Sequence, residues 1–465
     1  MKDEKLSFKR EMRPIDVWGL ALGAIIGWGC FVLPGTTFLP KAGPLGTTIG
    51  MLIGAAVVII ISLSYAFLIR RYPVSGGEFV YAGSAFGKTN AFICGWALII
   101  AYWSLIPLNA TAVALISRYL FPGIVQVGKL YEVAGWDVYA GEIVVATAFL
   151  IIMGIINIIG IKSASWIQTA IALTLVGTVL IIFAGVMSGG YDWDNLKPGF
   201  QSEKNWFGNV FAIVAMAPWA YLGFDCIPQA AEEYKFEHRK SLWIMILAIL
   251  CAAAMYIMVN TLTAIVKPWQ EMLAAKEFWP TGMAVHDAMG VLGLVILGVA
   301  MFCAVVSGIN AFYISTSRLM HSMAQMHALP KFFGELHPKY RTPKNAIIFI
   351  MIISLIAPWF GREVLNWIVD MTSVCAALAF AYTTASAARI ARRHGQKAQM
   401  VTGIVGCVLA LFFLSLLVIP GMPGFLSLQS RIVLGIWSGM GIVFYIIMRK
   451  KYNASPDFGA GDKLP

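Results

Sequence analysis

Apolar residues in this chain come in long unbroken runs, not at the two-residue alternation of a half-buried strand or the 3.6-residue period of a surface helix. About twelve runs can be read, at 15–39, 44–69, 86–118, 140–160, 164–187, 207–231, 241–266, 288–320, 344–360, 363–388, 399–419 and 429–448. Roughly 20 apolar residues cross the hydrocarbon of a bilayer as a helix. The pattern therefore predicts an all-α polytopic membrane protein of about twelve transmembrane helices, with polar punctuation between them.

Two runs carry their own interruption. The first holds Gly27, Trp28, Gly29, Cys30, Phe31, Val32, Leu33, Pro34 and Gly35 at its centre, and the sixth reads Met216 to Pro228 with prolines at 218 and 228, Gly223 and the carboxylate of Asp225. Proline removes a backbone donor and clashes with the preceding turn, so both runs should unwind or kink. In lipid, unpaired N–H and C=O groups are tolerated only where they face protein or a water-filled cavity. Broken helices five spans apart predict an inverted repeat of five plus five helices whose halves meet at a central binding site, with two further helices outside it. The expected division is a tail at 1–14, a first repeat at 15–188, an external loop at 189–206, a second repeat at 207–390, helices eleven and twelve at 391–449, and a tail at 450–465.

Composition narrows the class. The chain is 59% hydrophobic and 12% charged, against about 25% charged residues in a soluble domain. Its 34 Lys and Arg outnumber 23 Asp and Glu, but they lie between the apolar runs and form no stripe, so nucleic acid is not an expected partner. With both ends placed in the cytoplasm, 25 of the 34 cationic residues fall on the inside, Lys162 among them. That asymmetry is the positive-inside signal of a multi-pass protein, here expected in the plasma membrane. Residues 1–13 show no cleavable leader pattern. Cysteines 30, 94, 226, 251, 303, 375 and 407 all sit in apolar runs and read as free thiols.

Four stretches carry a resemblance: GAIIGWGCFVLPG in the first run, YPVSGGEFVYAGSAFG at 72–87, YLGFDCIPQAAEE at 221–233 and STSRLMHSMAQMHALPKFFGELHPKYRTP at 315–343. In this order and spacing they resemble the amino acid, polyamine and organocation (APC) transporter superfamily, whose fold is the five-plus-five inverted repeat. The resemblance implies a secondary transporter working by alternating access, with the breaks as its binding site.

The residues of the breaks suit an amino acid. N–H groups around Trp28, Gly29 and Cys30, at the start of a half-helix, are candidate donors to a substrate carboxylate. Carbonyls of Ala24, Ile25 and Ile26, and those near Met216, Ala217 and Trp219, are candidate acceptors for its ammonium, and Gly27 and Gly29 let the ligand reach the backbone. Close helix packing is the competing use of those glycines. Trp28 stands where the family usually has a small residue, and Cys30 where it usually has isoleucine. Either Trp28 narrows the site toward a small substrate, or it turns outward as bulk. The resemblance places at Trp219 an aromatic that covers the ligand, and an indole face attracts an ammonium.

Asp225 and Asp370 are ionisable positions inside apolar runs, which marks them for attention. Asp225 either takes up a proton during the cycle or caps the broken helix, while Glu232 and Glu233 read as solvated. Proton-driven relatives often carry a lysine in span five, and Ser163 to Met187 holds none. Sodium would require oxygen ligands such as Ser315 and Thr316 of span eight, and exchange requires neither ion. No cofactor is expected. The six histidines read as loop residues with no metal-ligand spacing, and no nucleophile–base pair or pore filter stands out, which argues against an enzyme and a channel. The reading is a small-amino-acid permease or exchanger, with an amine or polyamine permease as the alternative.

Overall fold

The structure is a computed structural model. It describes residues 8 and 10–458 other than 122, 134–135, 161–163, 276–278 and 361–362, so Lys162 and the outer parts of both tails lie outside the described residues. Among the described residues, nine helices are long and apolar enough to cross a membrane. The first, sixth and ninth apolar runs are instead built from shorter pieces.

The first run opens with α1 (Pro14–Ile25), which Pro14 starts at the position where its missing N–H costs nothing. Asp16 accepts from the Arg13 backbone N–H at 2.9 Å and from Thr169 at 2.8 Å, tying this end down. Ile26 is extended, with φ −90° and ψ 91°, and helix resumes as α2 (Gly29–Leu33). Pro34 then denies α2 its next donor. The chain widens into a π turn at Pro34–Phe38, and the indole N–H of Trp279 donates to the Phe31 carbonyl at 2.8 Å. The second run is α3 (Leu39–Arg71), kinked at Gly43, whose φ of 71° suits glycine. The 199–201 strand of chain closes over that kink: Leu45 N–H donates to the Gly199 carbonyl at 2.8 Å.

A short helix, α4 (Gly77–Phe86), separates α3 from the third run, which is α5 (Lys88–Trp103) followed by α6 (Leu105–Leu120). An antiparallel hairpin, β1 (Lys129–Val133) and β2 (Trp136–Tyr139), then leads to α7 (Ala140–Ile159) and α8 (Ala164–Met187). The sixth run is divided into α9 (Trp206–Val214), α10 (Ala217–Ala220) and α11 (Cys226–Gln229). It is followed by α12 (Ser241–Ile265), α13 (Trp269–Ala274) and the long α14 (Pro280–Gln325), itself broken at Gly290. The ninth run is α15 (Lys344–Ser354) and a 3-10 turn, and α16 (Glu363–Arg393), α17 (Lys397–Val418) and α18 (Leu428–Ala454) close the chain.

α1 packs on α8, α12 and α14, while α10 packs on α3 and α16, so both breaks lie inside the bundle. Both described chain ends reach the same face. Met12 bridges Tyr234, and Phe458 meets Phe79 of α4. The outward residues of α17 and α18, such as Val408, Ile436 and Ile447, are exposed apolar side chains. The cysteines are free thiols. His286 and His321 lie within α14, not in loops, because that helix extends well beyond its apolar run at both ends.

Candidate functional site

The first break is open at its backbone. Ile26 N–H still bonds the Leu22 carbonyl at 2.8 Å, but the N–H groups of Gly27 and Gly29 have no hydrogen-bond partner among the described residues. Trp28 N–H donates to Asn109 Oδ1 at 3.3 Å, and Asn109 is braced by its own donation to the Leu105 carbonyl at 2.7 Å. Cys30 N–H reaches the Gly27 carbonyl at 3.3 Å, a loose 3-10-type contact. The Ile25 carbonyl lies 3.4 Å from the Tyr256 hydroxyl, and the carbonyls of Ala24 and Ile26 belong to the frayed end of α1. Free N–H groups at the start of α2 beside free carbonyls at the end of α1 can serve both ends of a zwitterion.

Trp28 is buried and faces inward. Its ring meets that of Trp219 edge-on, with 6.3 Å between centroids and 63° between planes. A Cβ placed on Gly29 would overlap Cη2 of Trp219, so the indole lies directly on the gap in the helix. The indole N–H of Trp219 has no partner among the described residues. In the sixth run, the Met216 carbonyl accepts from Trp219 N at 3.1 Å and Ala220 N at 2.9 Å, and the Ala217 carbonyl accepts from Tyr221 N at 3.0 Å.

The two breaks touch through Gly223. It holds φ at +132°, and a Cβ there would come within 2.6 Å of both Ala24 Cβ and Ile25 N. Only glycine permits both that dihedral and that approach. Two residues on, Asp225 accepts from Gly223 N–H at 2.7 Å through Oδ1 and from the Tyr102 hydroxyl at 2.7 Å through Oδ2. The same hydroxyl lies 3.3 Å from Glu78, whose other oxygen accepts from Gln229 at 2.6 Å. Glu78 is fully buried although α4 lies between two spans. Burial, with Asp225 beside it, holds its carboxyl well above the usual range.

Below the first break, toward the face that carries the chain ends, a cavity of about 780 Å³ runs between Lys339–Thr342 and the side chains of Gln168 and Asn310. Gln168 of α8 donates to Ser307 and, at 3.3 Å, to the Gly19 carbonyl; Asn310 donates back to it at 3.0 Å. Ser307 approaches Gly23 closely enough to exclude a Cβ there. Ser315 sits further along α14 with its hydroxyl against the Cys226 thiol, and the Thr316 hydroxyl has no partner among the described residues. At the cavity mouth Arg318 pairs with Glu233 at 2.8 Å and stacks under Phe8, and Glu232 accepts from Ser75 N–H at 2.8 Å. Both glutamates are thus held by partners instead of standing free in solvent. Asp370 accepts from Ser430 of α18 at 2.9 Å.

Glu78, Tyr102, Asn109, Gln168 and Tyr256 line these features without having been singled out by the sequence pattern. Glu78 falls in a stretch the resemblance marks, and its carboxylate was the available signal.

A family model described as amino acid permease matches residues 14–447. The branched-chain amino acid permease BcaP of Bacillus subtilis (strain 168) is 28% identical over 359 residues, covering 75% of this chain and 74% of the relative. Cationic amino acid transporter 4 of Mus musculus is 26% identical over 401 residues, 82% of this chain but 59% of its own length. A methylthioribose transporter of Bacillus subtilis (strain 168) is 25% identical over 468 residues, 96% of this chain and 95% of the relative.

Proposed function

The chain belongs to the amino acid permease family of the APC superfamily, and on that premise we propose that it moves a small amino acid across the plasma membrane by alternating access. Its family and relatives are transporters, not enzymes. In this reading the bundle crosses the membrane twelve times as an inverted repeat of five plus five helices with two helices added, and both chain ends are cytoplasmic.

The observation that carries the reading is the pair of unpaired N–H groups at Gly27 and Gly29, the first beside Asn109 and the second against the Trp219 indole. The substrate carboxylate takes these donors and the loosely bonded Cys30 N–H. The ammonium takes the carbonyls of Ala24, Ile25 and Ile26, with those of Met216 and Ala217 across the gap. Trp219 covers the ligand, and Trp28 fills the space that a longer side chain would need. The cavity below Gln168 is the route to the cytoplasm. Span five carries no lysine, and its Gln168 is a neutral donor already bonded to Ser307 and Gly19.

An amine or polyamine permease is supported less well. A polycation calls for carboxylates aimed at the break, whereas Asp225 points to Gly223 and Tyr102. The methylthioribose transporter's match over nearly the whole chain brings an uncharged sugar thioether into the panel to be tested. Purified protein is screened by thermal shift against branched-chain, small and cationic amino acids, ethanolamine, putrescine and methylthioribose. Hits are then followed into liposomes with and without sodium or a pH gradient. Stabilisation and uptake confined to amino acids support the reading; uptake of amines or methylthioribose alone overturns it.

A further inference from the structure

Glu78 and Asp225 come from different elements, α4 and the sixth run, and both are completely buried. Among the described residues neither has an ion-pair partner. The groups placed against them are uncharged, and the cations of α16, which also packs on α4, sit at the far end of that helix, Arg389 over Phe86 and Arg393 on the Ser84 and Ala85 carbonyls. α3 contributes Tyr65, α4 Tyr81, α5 Cys94 and Tyr102, and the sixth run Cys226 and Gln229. The nearest cation along α14, Arg318, is committed to Glu233.

A single hydroxyl proton, that of Tyr102, stands between the two carboxylates, 2.7 Å from Asp225 and 3.3 Å from Glu78. One O–H donates to one acceptor at a time. With both carboxylates ionised, two negative charges would share a site without countercharge, which buried carboxylate pairs avoid by retaining a proton.

Two further groups are built for that proton. The Tyr65 hydroxyl is fully buried beside Glu78, in reach of its carboxyl but without a hydrogen bond of good geometry among the described residues. Gln229 touches Glu78 through one edge of its carboxamide, while its Oε1 is buried without a partner. A carboxamide carries a donor on one edge and an acceptor on the other, so a half-turn of Gln229 serves Glu78 equally as carboxylate or as acid.

We propose that Glu78 and Asp225 form one proton-binding site, a single proton held between two carboxylates, which fastens α4 to the sixth run and must change occupancy for the cytoplasmic side to open. The proton leaves to water, and returns from it, when α4 separates from the sixth run, and Gln229 turns its carboxamide to follow the change. This rests on the transporter reading and adds to it the ion that paces the cycle.

Infrared difference spectra of the purified wild-type protein, titrated from about pH 5 to about pH 8, test occupancy without any transport. A carboxylic acid carbonyl band that disappears as pH rises, and is missing from Glu78→Gln or shifted in Asp225→Asn, supports the site. A wild-type protein with no such band, or one whose band persists unchanged in both variants, overturns it. Uptake into liposomes gives the second readout. Glu78→Gln, which keeps the Tyr102 and Gln229 contacts, is expected to bind the substrate as the wild type does but to transport at a rate independent of pH. A wild-type pH profile retained in Glu78→Gln overturns the coupling. If no amino acid stabilises even the wild type, the transporter reading fails, and the infrared titration still decides the proton site.

Discussion

The indole of Trp219 stands edge-on to that of Trp28, 6.3 Å between ring centres, and together they roof the gap between Ile25 and Gly29. Neither ring faces lipid: Trp28 is 3% exposed and Trp219 6%. An edge-to-face pair of this kind contributes about 0.5–1.5 kcal/mol beyond its burial. In the proposed cycle that is weak enough for a substrate to part the rings and strong enough to hold them together without one.

Trp219→Ala should therefore weaken substrate binding about tenfold or more, the loss expected when an aromatic anchor of roughly 2 kcal/mol is truncated. Protein yield should be unchanged. Isothermal titration on matched amounts of folded protein measures it, and wild-type affinity would remove Trp219 from the site.

Trp28→Ser should widen the range of accepted substrates toward longer side chains, because it vacates volume beside the break without touching the N–H groups of Gly27 and Gly29. Competition uptake with leucine, phenylalanine and arginine reads the change. An unaltered profile would mean that Trp28 does not set substrate size.

Gly29→Ala places a methyl group where Trp219 now lies, and Trp219 must move or the gap must shift. Transport should fall at least about tenfold, since a displaced lid costs on the order of 1.4 kcal/mol or more. Gly177→Ala, in α8 with open space around it, should leave transport and stability unchanged. Equal effects of the two would make the Gly29 result a general helix effect.

Folding binds the Glu78 proton more tightly than the unfolded chain does, because burial raises that carboxyl. The sign follows from linkage: the stabilisation is complete below the ordinary glutamate value of about 4.3 and is lost as pH rises through the folded-state value. Wild-type melting temperature should then fall from acidic to alkaline pH more steeply than that of Glu78→Gln. Parallel melting curves for the two proteins would contradict this.

Arg318→Ala leaves Glu233 without its 2.8 Å partner and Phe8 without the guanidinium over its ring. Glu233 also receives the backbone N–H groups of Glu11 and Met12 on its carbonyl, so the N-terminal segment loosens with it. The cost should be about 1.5–3 kcal/mol, that of a charged hydrogen bond. A cysteine placed at Asn310, which lines the cavity, should react faster with a soluble thiol reagent in the Arg318→Ala background.

The two broken runs were legible because glycine and proline in an apolar stretch have few other physical uses, and helix α1 does stop one residue before Ile26. What stayed hidden were polar residues that look ordinary inside long spans. Asn109 and Gln168 barely disturb the hydropathy of their runs, yet they hold Trp28 and Gly19 from 81 and 149 residues away. Glu78 was hidden differently. It lies in a polar connection, where a carboxylate is expected to meet water, and its burial depends on contacts with the third and sixth runs that no local pattern encodes. The hairpin at β1 and β2 was missed for a similar reason: its Lys, Glu and Asp give no alternating apolar face.

Gly223 gives the molecule a very short lever. On one side its backbone rests against Ala24 and Ile25, where a ligand would sit; on the other its amide is a ligand of the Asp225 carboxylate. Any rotation about this residue alters the floor of the gap and the grip on the carboxylate in the same movement. Chemical information therefore needs to travel only the length of a single dipeptide, and no long-range pathway through the bundle has to be invoked.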